Sequence, residues 1–313
     1  MVEATARLPL LVIVGPTAVG KTALSLALAR RFDGEVISAD SRLFYRGMDI
    51  GTAKPTAAER DDVPHHLIDI RTPAETISLG EYQKMAYAAI AAVHRRGRLP
   101  ILAGGTGQYV SAVIEGWGIP RVPPQPRLRA ALERLGAGEL NRWLQALDPA
   151  AAAKIHPHNL RRVIRALEVT LAAGRPISEL QRRRPPAYDL LIIGLDAGRD
   201  TLYERIDRRV DEMLAQGLLD EVRKLRGAGY SWRLPAMSAL GYRQLGAYLR
   251  GELSLEEAVE RIKYETHRFV RQQYTWFRRD DPRIHWFDIG EAGYEERAAA
   301  LVAAWLGAGP GDG

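Results

Sequence analysis

LLVIVGPTAVGKT, residues 10–22, decides how the rest of the chain is read. Leu10–Val14 is an unbroken apolar run, the pattern of a short buried strand. Gly15 interrupts it, and from Gly20-Lys21-Thr22 a helical pattern continues to about Phe32. The spacing G-x-x-x-x-G-K-T between a strand and a helix fits a phosphate-cradling loop. Gly15 and Gly20 permit backbone angles that a Cβ resists. Pro16, Thr17, Ala18 and Val19 make up the loop between them, whose N–H groups face an anion together with the helix N-terminus. Lys21 supplies a mobile positive charge, and Thr22 a hydroxyl able to ligate Mg²⁺. The stretch implies a bound pyrophosphate or polyphosphate and leaves open whether that group belongs to a nucleotide.

The chain has 313 residues, enough for one large domain with an insertion or for two domains. Its 46% hydrophobic content suffices for a core, and no run approaches the ~18 apolar residues of a membrane span. The N-terminal MVEATARLPL carries an acid and leads straight into the first strand, a poor signal peptide. With no cysteine there is no disulfide framework and no thiolate metal site, which fits a reducing cytoplasm. A net charge of +6 and a pI near 9.6 suggest a polyanionic partner, provided the positive charge is concentrated.

Downstream, Glu35–Ser38, His65–Ile70 and Pro100–Ala103 read as further strands, with a helical pattern over Ser78–Arg96 and another after Gly107. Alternation of strands and helices predicts a doubly wound parallel α/β sheet, whose ligands sit beyond the carboxyl ends of the strands. The phosphate loop, Asp40-Ser41 and Gly104–Thr106 all occupy such ends and are expected to converge. Four prolines between Gly118 and Pro126 mark a boundary, followed by an Ala/Leu/Arg-rich helical stretch. The expected layout is a P-loop core from 1–120 and 188–313 with a helical insertion over 121–187. The remainder reads as mostly helical, its longest helix starting at Ser254 with a capping box to Glu257 and running to about Arg279. Ile284–Phe287 is a last short strand, and a Gly/Pro tail is expected to fray.

Asp40, at a strand end beside the loop, could take a proton, bind Mg²⁺ or simply cap local backbone. Asp69 could be a strand-end Mg²⁺ ligand or an ordinary aspartate, and His65 and His66 show no metal-ligand spacing. Basic residues gather in NLRRVIR (159–165) and in RFVRQQYTWFRR (268–279), the second interleaved with aromatics. Cations neutralise phosphates while rings and guanidiniums stack on unpaired bases, although a solvated helix with a buried aromatic stripe has the same pattern. Arg205, Arg208 and Arg209 follow at helical spacing; Arg209 could clamp a departing pyrophosphate or be plain surface charge.

Taken together, these pieces resemble one family, the tRNA dimethylallyltransferases. The matching blocks are GPTAVGKT (15–22), ISADSRLFYRGMDIGTAKP (37–55), PHHLID (64–69), GGTGQY (104–109), RRVIRALEV (161–169), RIDRRVDEML (205–214), ALGYRQ (239–244) and RQQYTWFRR (271–279). They span nearly the whole chain in the family's order. The resemblance implies transfer of a dimethylallyl group from dimethylallyl diphosphate to N6 of the adenosine 3′-adjacent to the tRNA anticodon, with Mg²⁺. By carry-over Asp40 is the general base or acceptor for the amine and Thr106 contacts the target nucleotide. Lys21, Thr22 and Arg209 grip diphosphate and metal. The same carry-over assigns tRNA contacts to Asp40, Ser41, Arg42 and Leu43, and to Arg129, Arg161, Arg162, Val163, Ile164 and Arg165. It adds Ser238, Ala239, Leu240, Gly241, Tyr242 and Arg243, then Arg271, Gln272, Gln273, Tyr274, Thr275, Trp276, Phe277 and Arg278. It also implies a flipped adenine in a channel that the allylic substrate enters from the other end. The zinc-finger extension of eukaryotic members is absent, which points to the short bacterial form; a monomer is the default expectation. A P-loop small-molecule kinase and an adenylate isopentenyltransferase are the rival readings.

Overall fold

The computed structural model describes residues 8–308; the first seven residues and the Gly/Pro tail from 309, with the leader and fraying expectations attached to them, lie outside the described residues. Six strands, β1 (Leu8–Val14), β2 (Gly34–Ser38), β3 (His65–His66), β4 (Leu99–Ala103), β5 (Tyr188–Asp196) and β6 (Ile284–Asp288), form one sheet. Their order is β3-β2-β4-β1-β5-β6, and every pairing is parallel. The apolar run of β1 needs no alternation because both of its faces are covered. Leu11 and Ile13 join Leu24 and Leu28 of the Lys21–Arg31 helix in one core cluster. Leu10 and Val12, on the opposite face, are equally closed to water.

Register then sets where the loops emerge. Ala103 is level with Ile13 on one side and with Ser38 on the other. The chain therefore leaves β1, β2 and β4 at neighbouring points of one sheet edge, where ligands of open parallel sheets bind. The Ala39 N–H bonds the Ala103 carbonyl at 2.8 Å, and the Gly104 N–H bonds that of Ile13 at 3.2 Å.

Two compact units are present. One joins the segments up to Val110 and from Ala187 onward and holds the whole sheet; the other is Ser111–Pro186. The second unit is helical, with its own core of Leu132, Leu140, Leu144, Val163 and Leu167. It opens earlier than the proline cluster suggests, inside the Gly107–Ile114 helix. Its ends are tied to each other: Arg184 N–H bonds the Gly116 carbonyl at 2.8 Å and Gly118 N–H bonds that of Arg182 at 3.0 Å.

Two other expectations are corrected. The strand read over His65–Ile70 stops at His66, because Leu67 and Asp69 take left-handed backbone angles (φ 62° and 57°) that cannot continue a ladder. The long helix spans Leu255–Gln273 and ends short of Arg279. The Ser254–Glu257 capping box is formed. No helix among the described residues is long and apolar enough to cross a membrane.

Candidate active site

The phosphate loop is shaped by close approach and by handedness. A Cβ on Gly15 (φ 142°) would strike the Leu195 carbonyl at the end of β5, and Gly20 takes φ 101°. The Lys21 ammonium folds back onto its own loop, donating to the carbonyls of Gly15 (3.0 Å) and Pro16 (2.6 Å). Burial lowers its pKa from 10.5 to about 8, with Asp40 opposing the shift and Arg209 adding to it. Arg205 braces the loop from outside, its Nε donating to the Ala18 carbonyl at 2.9 Å. Thr22 lies exposed in the first helical turn.

Asp40 follows β2 and is held by its neighbours. Its Oδ1 accepts the Arg42 N–H at 2.9 Å, a local Asx turn, and its own N–H donates to Ser38 Oγ at 3.2 Å. Among the described residues none donates to its Oδ2. Thr106 stabilises the same turn: its Oγ1 accepts the Ser41 N–H at 3.2 Å and its N–H donates to the Ala39 carbonyl at 3.2 Å. Arg209 comes from the Arg199–Ala215 helix and makes no ion pair or hydrogen bond among the described residues. Burial lowers its pKa, while Asp40 and Glu212 pull the other way. A half-buried, unpaired guanidinium is a site prepared for an anion.

Two cavities meet at these groups. The larger, about 540 Å³, is lined by the phosphate loop with Lys21, Thr22 and Lys54, and by Arg205 and Arg208. The other, about 380 Å³, is walled by Ile206, Met213, Phe269 and Trp276 and closed by Gly105–Gly107. Thr17, Ala18, Asp40, Thr52 and Arg209 line both. The chemistry available is therefore a cationic chamber for a polyphosphate, an apolar chamber for a flat ring, and one carboxylate with one guanidinium where they join.

The family model described as IPP transferase matches residues 43–280. The chain belongs to the IPP transferase family. A tRNA dimethylallyltransferase of Roseiflexus castenholzii is 60% identical, over 94% of this chain and 97% of its own length. One from Roseiflexus sp. (strain RS-1) is 55% identical, over 96% of this chain and all of its own. Among solved structures, the full-length tRNA isopentenylpyrophosphate transferase of Bacillus halodurans is 44% identical with a TM-score of 0.72, covering 96% of this chain and 97% of that one. A eukaryotic dimethylallyltransferase described as acting on tRNA superposes with a TM-score of 0.86 at 27% identity, covering 96% and 80%.

The remaining candidate residues of this IPP transferase fall into two groups. Arg161, Arg162, Ser238, Gln272 and Trp276 present exposed side chains, and Leu43 lines the cationic cavity. Others are engaged within the protein. Tyr242 is fully buried, its hydroxyl donating to Glu221 at 2.5 Å; Val163, Ile164, Ala239 and Phe277 are buried too. Arg129 and Arg165 both pair with Glu168, which is shut off from water; Arg165 also donates to the Val122 carbonyl at 3.0 Å. Burial alone would raise the Glu168 pKa, but Arg129, the Gln125 N–H and Arg165 prevail and bring it to about 2. Arg278 pairs with Asp280, Arg243 with Glu265, and Arg271 donates to the Tyr203 hydroxyl at 2.8 Å. Tyr274 donates to Asp196 at 2.5 Å. Asp69 is no longer a candidate metal ligand, because it is held by Lys54 (2.5 Å) and Arg60 (2.8 Å). Sequence reasoning missed Lys54 and Glu221. Glu221 collects the N–H groups of Asp49, Ile50 and Gly51 at 2.8, 2.8 and 3.2 Å and so fixes the loop that carries Thr52.

Proposed function

We propose that this protein transfers a dimethylallyl group from dimethylallyl diphosphate to N6 of the adenosine 3′-adjacent to the anticodon of tRNA, releasing diphosphate. The observation that carries the reading is the junction of a cationic and an apolar cavity at Asp40 and Arg209. The diphosphate fits the first chamber and the adenine, flipped out of its stack, the second. An adenine amine is a weak nucleophile because its lone pair is delocalised into the ring. The allylic C–O bond must therefore break with cationic character at carbon and negative charge on the diphosphate. With the diphosphate in the cavity that Lys21, Arg209 and the phosphate loop line, these groups would meet that charge and favour the transition state over the ground state. The amine nitrogen bonds to the allylic carbon and then gives up its proton, for which Asp40 Oδ2 is the acceptor.

Among the described residues no group of three or more His, Asp or Glu side chains converges as a metal cage. Mg²⁺ fits here as a partner of the diphosphate, and Thr22, which lines the cationic cavity, is the residue that would help to hold it. Bound so, it would supply further positive charge to the leaving group. The test incubates protein, Mg²⁺, dimethylallyl diphosphate and unmodified tRNA, followed by mass analysis of nucleosides. Dimethylallylated adenosine from tRNA is the expected product. Modification of free AMP or ADP instead, or phosphoryl transfer from ATP to a small acceptor, would overturn the reading.

A further inference from the structure

Gln273 lies in a block that by resemblance touches tRNA, yet it is 4% exposed. It is the last residue of the long Leu255–Gln273 helix, and both ends of its amide are engaged. Oε1 accepts the Thr17 N–H of the phosphate loop at 2.8 Å, and Nε2 donates to the Gly105 carbonyl at 2.9 Å. A single side chain thus spans two loops that leave different strands. The glycines of GGTG serve this approach: a Cβ on Gly105 would overlap Gln273 Nε2, and one on Gly107 would overlap the Trp276 ring. The neighbours of Gln273 on the same helix, Phe269 and Gln272, line the apolar cavity.

We infer that Gln273 is a positioning residue of the transfer reaction, setting the phosphate loop and the Gly105-Thr106 loop in register with each other rather than binding RNA. The inference rests on the proposed function for what the two loops hold. The primary amide satisfies both partners at once, since a backbone N–H requires an acceptor and a carbonyl requires a donor. With neither bond made, a part-buried loop N–H and a buried carbonyl are left without their partner. Thr17 would then lose its tie from the phosphate loop to the long helix, and the loop carrying Thr106, which bonds the Ser41 N–H and the Ala39 carbonyl on either side of Asp40, would lose its own.

Two variants separate the ties. Gln273→Leu removes both. Gln273→Glu keeps an acceptor for Thr17 but turns a carboxylate oxygen against the Gly105 carbonyl. Inorganic pyrophosphate affinity, anticodon stem-loop affinity and single-turnover rate are measured below each variant's melting temperature. Gln273→Leu is expected to bind pyrophosphate roughly tenfold more weakly and to turn over more slowly, with stem-loop affinity near that of the parent. Gln273→Glu is expected to keep most pyrophosphate affinity and lose rate, a split that a purely structural role would not produce. Parental pyrophosphate affinity and rate with only a lowered melting temperature overturns the inference. So does a loss confined to stem-loop binding, which would make Gln273 an RNA contact. A parent protein that binds no pyrophosphate would instead sink the proposed function itself.

Discussion

At Asp40 the two carboxylate oxygens have different surroundings. Oδ1 closes the turn to the Arg42 N–H, Oδ2 takes no donor among the described residues, and the residue lines both cavities. Asp40→Asn keeps an oxygen for the turn and removes the basicity, so the loop should survive while proton acceptance does not. Turnover is expected to fall by ~10²–10⁴-fold with substrate affinities little changed, as for a lost general base. Near-parental single-turnover chemistry in this variant would remove Asp40 from the reaction. If high Mg²⁺ restored the rate, Asp40 would be a metal ligand instead. The neighbours of Asp40 were unequally legible in the sequence. Gly15, Gly20 and Lys21 announce themselves because a phosphate loop needs those residue types at that spacing. Gln273 and Glu221 do not, because the partners that matter are backbone atoms between 168 and 256 positions away, and backbone groups leave no mark on composition.

At the scale of the element, β2 shows how a strand can carry a charge inward. Glu35 is 2% exposed on a buried strand, which is tolerable only because Arg96 Nη2 (2.5 Å), His66 Nε2 (2.6 Å) and Arg98 (3.4 Å) surround it. The hydrogen bond from Arg96 leads in lowering its pKa from 4.5 to about 2, against the opposing effect of burial. A depressed carboxyl pKa stabilises the fold above the unfolded value, and that contribution is lost as pH falls from about 4.5 towards about 2. Melting temperature should therefore drop across this window, and Glu35→Gln should be less stable at neutral pH but flatter below pH 4.5. A parallel acid limb in both proteins would assign the acid sensitivity elsewhere. β1, β2, β4 and β6 were readable as short apolar runs, but the end of β3, a pair of histidines, and the end of the long helix were not. Positive φ at Leu67 and Asp69 and the anchoring of Gln273 are tertiary facts. In the helical unit the periodicity of LRRVIRALEV was plain, yet it could not reveal that Glu168 turns inward and takes Arg129 and Arg165 with it.

For the whole molecule, the surplus of positive charge is useful only where it is unpaired. Arg161 and Arg162 are exposed, whereas Arg165 is held internally. Arg161→Ala and Arg162→Ala should flatten the salt dependence of tRNA binding by about one log–log unit per lost phosphate contact. Arg165→Ala should leave that slope alone and lower the melting temperature, since it strips a cation from a buried carboxylate. Unchanged slopes in the first pair would leave those arginines as solvated surface. One feature of the architecture bears on synthesis rather than catalysis. β1 pairs with β5 from Leu8↔Tyr188 onward, and the entire Ser111–Pro186 unit is made between them. At ~5–20 residues per second the ribosome needs several seconds to cross that unit. Throughout this interval the nascent chain carries a central strand with one edge still unpaired, an adhesive surface on an unfinished molecule. A released fragment ending before Tyr188 should therefore be protease-sensitive at β1 while the helical unit, which closes its own core, resists.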